Sequence, residues 1–271
     1  MSIIEVIQQR RSVRTYTGES LSQEHVERIE KYISQLQSPF GVKARIQLIH
    51  TNANDPQPIK LGTYGWVSGA KDYLALIYEE GTLAETGAAC IFEQLILYCT
   101  ELGLGTCWLG GSFNRKDFKR QIKLQSDEKL RIVSPVGYPG NKKRFIESFV
   151  VKADKNHHTR KPFEANFFYK DFSVPLTKQD AAIYSLPLEM VRLAPSANNT
   201  QPWRILFDDG LTHFYRTFSF GFSAIDIGIA LCHFWETCKE MNIDGHFEIL
   251  DRPNQKDFRY TISWINEKPL Y

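Results

Sequence analysis

The chain of 271 residues has no long hydrophobic run, no excess of charge of either sign and few cysteines. Apolar stretches such as residues 73–78 and 95–99 fall far short of the roughly 18 residues that a membrane span needs. Near the start, Ile3, Ile4, Val6 and Ile7 are interrupted by Glu5, Gln8 and Gln9, so they read as a short amphipathic helix and not as a signal-peptide core. Lys plus Arg number 33 against 31 Asp plus Glu, a net +2, which is too even for a surface that gathers polyanions; neither nucleic acid nor membrane is expected as a partner. Cys90, Cys99, Cys107, Cys232 and Cys238 are odd in number and form no C-x-x-C pair, which excludes a disulfide framework and points to buried, reduced thiols in a cytoplasmic protein. What is present is 42% hydrophobic and 13% aromatic, enough to bury a sizeable core.

Residues 22–37 carry Val26, Ile29, Ile33 and Leu36 on one helical face, with Ser22 placed to cap and Glu24 in the first turn. Pro39 and Gly41 end that helix, and strands are predicted over 42–50, 73–78 and 131–136, the last running into Gly137-Tyr138-Pro139-Gly140. Residues 84–102 are apolar on nearly every face, Glu85, Glu93 and Gln94 being the main exceptions, which predicts a helix buried almost all round. Residues 152–161 are polar and basic without periodicity and read as a linker or arm. The pattern then restarts: a helix over 179–193 interrupted at Pro187, a strand over 203–208, the turn Asp208-Asp209-Gly210, a partner strand over 211–216 and a second largely apolar helix over 225–243. Sliding that helix by 139 residues lays Cys238, Glu240, Met241 and Ile243 over Cys99, Glu101, Leu102 and Leu104. This favours an internal duplication, although buried helices share composition in any case. The expected division is residues 1–150, an arm at 151–164, and residues 165–271.

Three segments carry candidate chemistry. Arg10-Arg11-Ser12-Val13-Arg14 sets three guanidiniums beside a hydroxyl, a set that suits a phosphate, although a solvated basic cluster at a helix end has the same composition. In Pro195-Ser196-Ala197-Asn198-Asn199-Thr200-Gln201-Pro202-Trp203 two prolines bound a loop whose Ser196, Asn199 and Gln201 offer the paired donors and acceptors that the edge of a planar heterocycle needs. Leu102-Gly103-Leu104-Gly105-Thr106-Cys107-Trp108-Leu109-Gly110-Gly111 contains G-x-G, but it follows a helix and has Trp108 where a dinucleotide fingerprint needs its third glycine. Gly110 and Gly111 fit either a plain turn or a close approach of backbone N–H groups to a flat ligand.

Together these segments resemble the nitroreductase family of FMN-dependent oxidoreductases. The resemblance implies an α+β fold with one antiparallel sheet flanked by helices in each half. It assigns Arg10, Arg11, Ser12 and Arg14 to the flavin phosphate and ring edge, Pro195, Ser196, Asn199 and Gln201 to the flavin contact made from a partner subunit, and Gly110 and Gly111 to the reactive ring. Gly137-Tyr138-Pro139 followed by Lys143 and Arg144 corresponds to a further phosphate-binding turn, and Tyr64, Trp66 and Lys71 fall where the family often completes the pocket.

The order of the segments departs from the family pattern. The P-S-x-x-N loop stands near residue 195 and not soon after the arginine cluster, where only Ser38-Pro39-Phe40-Gly41 is found; the second half begins with Phe167-Phe168-Tyr169-Lys170-Asp171-Phe172 in place of arginines. Each half has lost what the other keeps, as in the fused pseudo-dimers of this family, so one FMN per chain is expected in a protein able to act as a monomer. The implied chemistry is hydride transfer from NAD(P)H through the flavin to a small electron-poor acceptor such as a nitroaromatic or quinone. Flavin storage or sensing without turnover, and dehalogenase, oxidase or flavin-cleaving activity, are the alternatives. No metal is expected: His157 and His158 lie adjacent in the arm without ligand partners, His233 reads as a hydrogen-bonded core residue, and Ser196 has no His-Asp relay.

Overall fold

A computed structural model describes residues 1–51, 62–140, 159–208, 210–218 and 221–267. Helix α1 (Ile3–Gln9) starts at a reciprocal cap in which Ser2 and Glu5 each accept the other's backbone N–H. Helix α2 (Gln23–Gln35) starts where the Ser22 hydroxyl accepts the His25 N–H. The first sheet is formed by β1 (Ala44–His50), β2 (Asp72–Glu79), β3 (Gly105–Thr106) and β4 (Glu128–Gly137), ordered β1-β2-β4-β3 and antiparallel throughout. Between its strands run α3 (Ala84–Glu101) and the short α4 (Arg115–Gln121).

The second sheet comprises β5 (Phe167–Tyr169), β6 (Trp203–Asp208), β7 (Leu211–Thr217), β8 (Gly245–Glu248) and β9 (Phe258–Asn266), ordered β5-β6-β7-β9-β8. It is not purely antiparallel as expected, because β5 adds to its edge parallel to β6. Helix α5 (Ser185–Leu193) begins later than the apolar pattern suggested, after a single 3-10 turn at Ala182–Tyr184. Pro187 falls in its first turn, where no helical bond needs an N–H. Helix α6 (Ser223–Glu240) then crosses α3.

The duplication read from the sequence has a geometric counterpart. Helices α3 and α6 each span 18 residues and begin 139 apart. Both end in the same turn, with Gly103 and Asn242 left-handed (φ 75° and 55°) and with the Leu104 and Ile243 N–H groups each donating over 2.9 Å to the carbonyls of Cys99 and Cys238. Without β5, the second sheet repeats the order of the first, and a bulge lies between Leu76 and Ile77 in one and between Phe214 and Tyr215 in the other. The helices cross where equivalent residues meet: a side chain on Gly228 would strike the Thr86 carbonyl and come within 2.9 Å of the Ala89 methyl. One apolar cluster runs from Leu74 and Ile132 through both helices to Phe214 and Trp264, so the two halves share a core.

Candidate functional site

The backbone of residues 12–17 is threaded between three other segments. Val13 donates to the Thr106 carbonyl (2.8 Å), Ser68 donates to Arg14 and Tyr16 donates back to Ser68 (both 2.9 Å), and Thr17 donates to the carbonyl of Tyr138 (3.0 Å). Gly140 donates to Thr15 at 2.9 Å, an approach that a side chain at Gly140 would block against the Tyr16 carbonyl. The arginine cluster, the glycine-rich segment and the Gly-Tyr-Pro turn are therefore neighbours; Lys143 and Arg144, like His157 and His158, lie outside the described residues.

Arg11 and Ser12 are exposed, whereas Arg10 and Arg14 are half-buried. The Arg10 Nε is buried without a hydrogen-bond partner among the described residues. Burial pulls its guanidinium below the ordinary range, and the negative charge of Glu93 offsets part of that. Burial raises the Cys107 thiol in turn, against the influence of Arg14, Ser12 and Arg10, so this cysteine is a packed, inert group.

The loop at 195–201 is strained and heavily braced. Asn198, Asn199 and Gln201 adopt left-handed backbone (φ 50°, 53° and 48°), which costs energy in residues with a Cβ. Asp226 holds the loop by accepting the Ala197 N–H (2.9 Å), and the Ser196 hydroxyl accepts that of Gln201 (2.9 Å). The Asn199 Oδ1 accepts from Arg160 (3.0 Å) and Gln201 (3.2 Å), its Nδ2 donates to the Thr159 carbonyl (2.8 Å), and Gln201 Oε1 accepts the Lys161 N–H (2.8 Å). The Asn199 and Gln201 amides thus place these hydrogen bonds on the loop itself and on residues 159–161. They build the loop, because a backbone bent this way needs side-chain partners that no helix or sheet supplies.

Three contributors to this region were not legible in the sequence. Arg160, placed in a linker by composition, also donates to the Leu193 carbonyl (3.1 Å). Burial, then the charges of Arg10 and Arg192, pull its guanidinium down to about 10. Asp226, almost fully buried in the first turn of α6, is pushed up to about 7 by desolvation, partly offset by the Ala197 N–H. Phe222, just before α6, lays its ring on Gly110 where a side chain would stand, and the Arg131 guanidinium lies over that ring at 5.3 Å. The side-chain face of Gly110 is thus covered by Phe222, whereas Gly111 has open space on its side-chain face. An acidic residue in the first turn of an otherwise apolar helix is the one feature from which Asp226 could have been singled out.

Exposed Tyr64 and Trp66 sit on a loop tied at one end to Asn114, which donates to the Gly62 carbonyl (2.7 Å), and at the other to Arg14 through Ser68. His233 is fully buried and hydrogen-bonded at both ring nitrogens. Among the described residues no group of three His, Cys, Asp or Glu is placed to hold a metal, and no helix is long and apolar enough to cross a membrane. Away from this site, His213 lies 2.7 Å from Ser263. Its Nε2 accepts from Arg252, so Nδ1 carries the hydrogen toward the serine. Burial and Arg252 lower that imidazole to about 4, and it cannot serve as a base toward Ser263.

Arginine guanidiniums and open glycine backbone are groups of the type that suit an anionic, flat ligand. Residues 2–238 match the family described as "Putative TM nitroreductase". The chain belongs to this nitroreductase family. A "putative nitroreductase" from Thermotoga maritima MSB8 shares the fold, at 20% identity and a TM-score of 0.66, over 99% of this chain and 95% of its own. A nitroreductase family protein from Clostridium difficile 630 aligns at 18% identity and a TM-score of 0.45, over 60% of this chain and 94% of its own. A nitroreductase with bound FMN from Bacteroides fragilis NCTC 9343 aligns at 17% identity and 0.42, over 54% and 92%. No curated protein matches the chain.

Proposed function

We propose that this nitroreductase-family chain binds one FMN and passes a hydride from NAD(P)H to a small electron-poor acceptor such as a nitroaromatic or quinone, as a cytoplasmic monomer. The observation that carries the reading is a chain of contacts: residues 12–17 bond to Thr106, Gly110 lies under Phe222 at the start of α6, Asp226 of that helix holds the 195–201 loop, and the partnerless Arg10 Nε lies just ahead of the first of these segments. Bound FMN would supply the two-electron chemistry, and no protein nucleophile is required. The chain's own part is to seat the phosphate with Arg10 and Arg11, to place positive charge from Arg14 beside the ring, and to bring backbone groups at Gly111 against it. Pro195, Ser196, Asn199 and Gln201 contribute through the shape of the loop, and Lys143 and Arg144 through charge.

Pseudo-symmetry supports a single site. The shift that relates α3 to α6 places Phe247 at the position of Trp108, Ile249 at that of Gly110 and Leu250 at that of Gly111. In the counterpart of the 195–201 loop, the Phe40 ring packs on Phe247 at 5.2 Å. Gly87, the counterpart of Asp226, faces Val42 and Phe40 so closely that a side chain there would lie 2.6 Å from a Val42 methyl. Side chains fill the second position.

Anaerobic stopped-flow of the FMN-loaded protein tests the activity. Bleaching of the flavin by NADH or NADPH, followed by recovery on adding a nitroaromatic or quinone, is expected; flavin that stays oxidised under both nucleotides contradicts turnover and favours storage or sensing.

A further inference from the structure

Between the two central helices lies a buried polar cluster on one side of the pseudo-twofold only. Glu93, in the middle of α3, and His233, in α6, are both fully buried. One Glu93 oxygen accepts the Trp108 indole N–H (2.8 Å), and the other lies 2.9 Å from His233 Nε2. His233 Nδ1 lies 2.9 Å from the Met190 carbonyl. A carbonyl only accepts, so Nδ1 carries a hydrogen, and one further proton is shared along the line from Nε2 to the Glu93 carboxyl.

Burying such a pair is costly, and apolar side chains of the same volume commonly give equal or greater stability. The equivalent place across the pseudo-twofold shows that this fold does not need it: Cys232 stands for Glu93 and Gln94 stands for His233, and Gln94 merely donates to the Cys90 carbonyl of its own helix (3.3 Å). The pair is kept on the side that carries the candidate site. Its contacts also reach each part of that site. Trp108 lies two residues before Gly110, Met190 is in the helix that leads into the 195–201 loop, and α1, which delivers Arg10, packs Val6 and Ile7 in a cluster with Cys90, Met190 and Cys232 around the same crossing.

We propose that Glu93 is a positioning residue for the flavin site, holding the Trp108–Gly111 segment through the indole N–H and the loop-bearing helix α5 through His233. The proposal rests on the FMN reading above.

The test is a double-mutant cycle with Glu93→Gln and Trp108→Phe on the full chain, following FMN binding by fluorescence quenching and thermal unfolding in parallel. Each single variant is expected to weaken FMN binding about tenfold, as for loss of one charge-assisted hydrogen bond, and to shift the absorption bands of the bound flavin. The double variant should bind no more weakly than the worse single one, because Trp108→Phe removes the donor and Glu93→Gln the charge of the acceptor in one and the same hydrogen bond. Should Glu93→Gln fail to fold, Trp108→Phe decides alone, since it leaves the Glu93–His233 pair in place. Lowered unfolding temperatures with unchanged FMN affinity and unchanged bands would show a purely structural pair and overturn the proposal. Wild-type protein that binds no FMN overturns the functional reading and this proposal together; variants that bind like a flavin-loaded wild type overturn only this one.

Discussion

At the C-terminal ends of the two central helices the halves of this protein share one turn and its hydrogen bonds, and a few residues further on they part. After α3 the chain continues through Trp108 to Gly110 and Gly111, with open space at the second glycine; after α6 the matching positions are Phe247, Ile249 and Leu250, with Phe247 under the Phe40 ring. The opposing loops differ in the same sense. Residues 195–201 spend their hydrogen-bonding capacity on a left-handed backbone, whereas 38–41 are short and fill space with Phe40. A duplicated fold retains its helix turn and strand order, which local backbone bonding maintains, while one of two equivalent clefts can be given over to aromatic packing without loss of the core.

The largest expected effect falls on what the halves share. Gly228→Val should drive the helices apart at their crossing and cost about 3 kcal/mol or more, measured by denaturant unfolding, with both sheets lost in one transition. Two separate transitions would break the picture of a common core. Next comes Asp226, which has a carboxyl only on the site side. Its pKa is raised in the folded state to about 7, so its contribution favours folding at low pH and is lost as pH rises from about 4 through 7. Asp226→Asn keeps an acceptor for the Ala197 N–H and does not titrate. Relative to the wild type it should therefore gain about 3 kcal/mol of stability between pH 4 and pH 8, read from unfolding at each pH.

Arg10→Ala should weaken FMN binding by about 2 kcal/mol through loss of charge-assisted phosphate contacts, while riboflavin, which lacks the phosphate, should bind the variant and the wild type alike. Equal losses for both ligands would move Arg10 from the phosphate to the ring. The smallest effect belongs to the filled position. Phe40→Ala removes a half-buried ring and should cost about 1–2 kcal/mol in thermal unfolding, with FMN affinity unchanged.

Much of the frame was legible in the sequence because it is written locally. Apolar periodicity marks α2, nearly continuous apolar runs mark α3, α6 and β2, alternation marks β1, and the Asp208-Asp209-Gly210 turn marks β6 and β7, each within a few residues of its ends. Strands β3, β5, β8 and β9 were not foreseen. The two-residue β3 and the short β5 and β8 exist through partners far away in the chain, and the parallel edge at Phe167–Tyr169 depends on where β6 lies. The site divides in the same way. Arg10, Gly111 and the 195–201 loop stand out by residue type, whereas Arg160, Phe222 and Asp226 matter because folding carries them to that loop and glycine, and no spacing in the chain records this. His233 was recognised as a bonded core residue, but its partner Glu93 lies in the other half.

The contrast between the open face of Gly111 and its filled counterpart is tested most directly by counting flavins. Apoprotein at known concentration, titrated with FMN and followed by the change in flavin absorbance, should saturate at one FMN per chain. Saturation at two per chain, or no binding at all, would contradict the account.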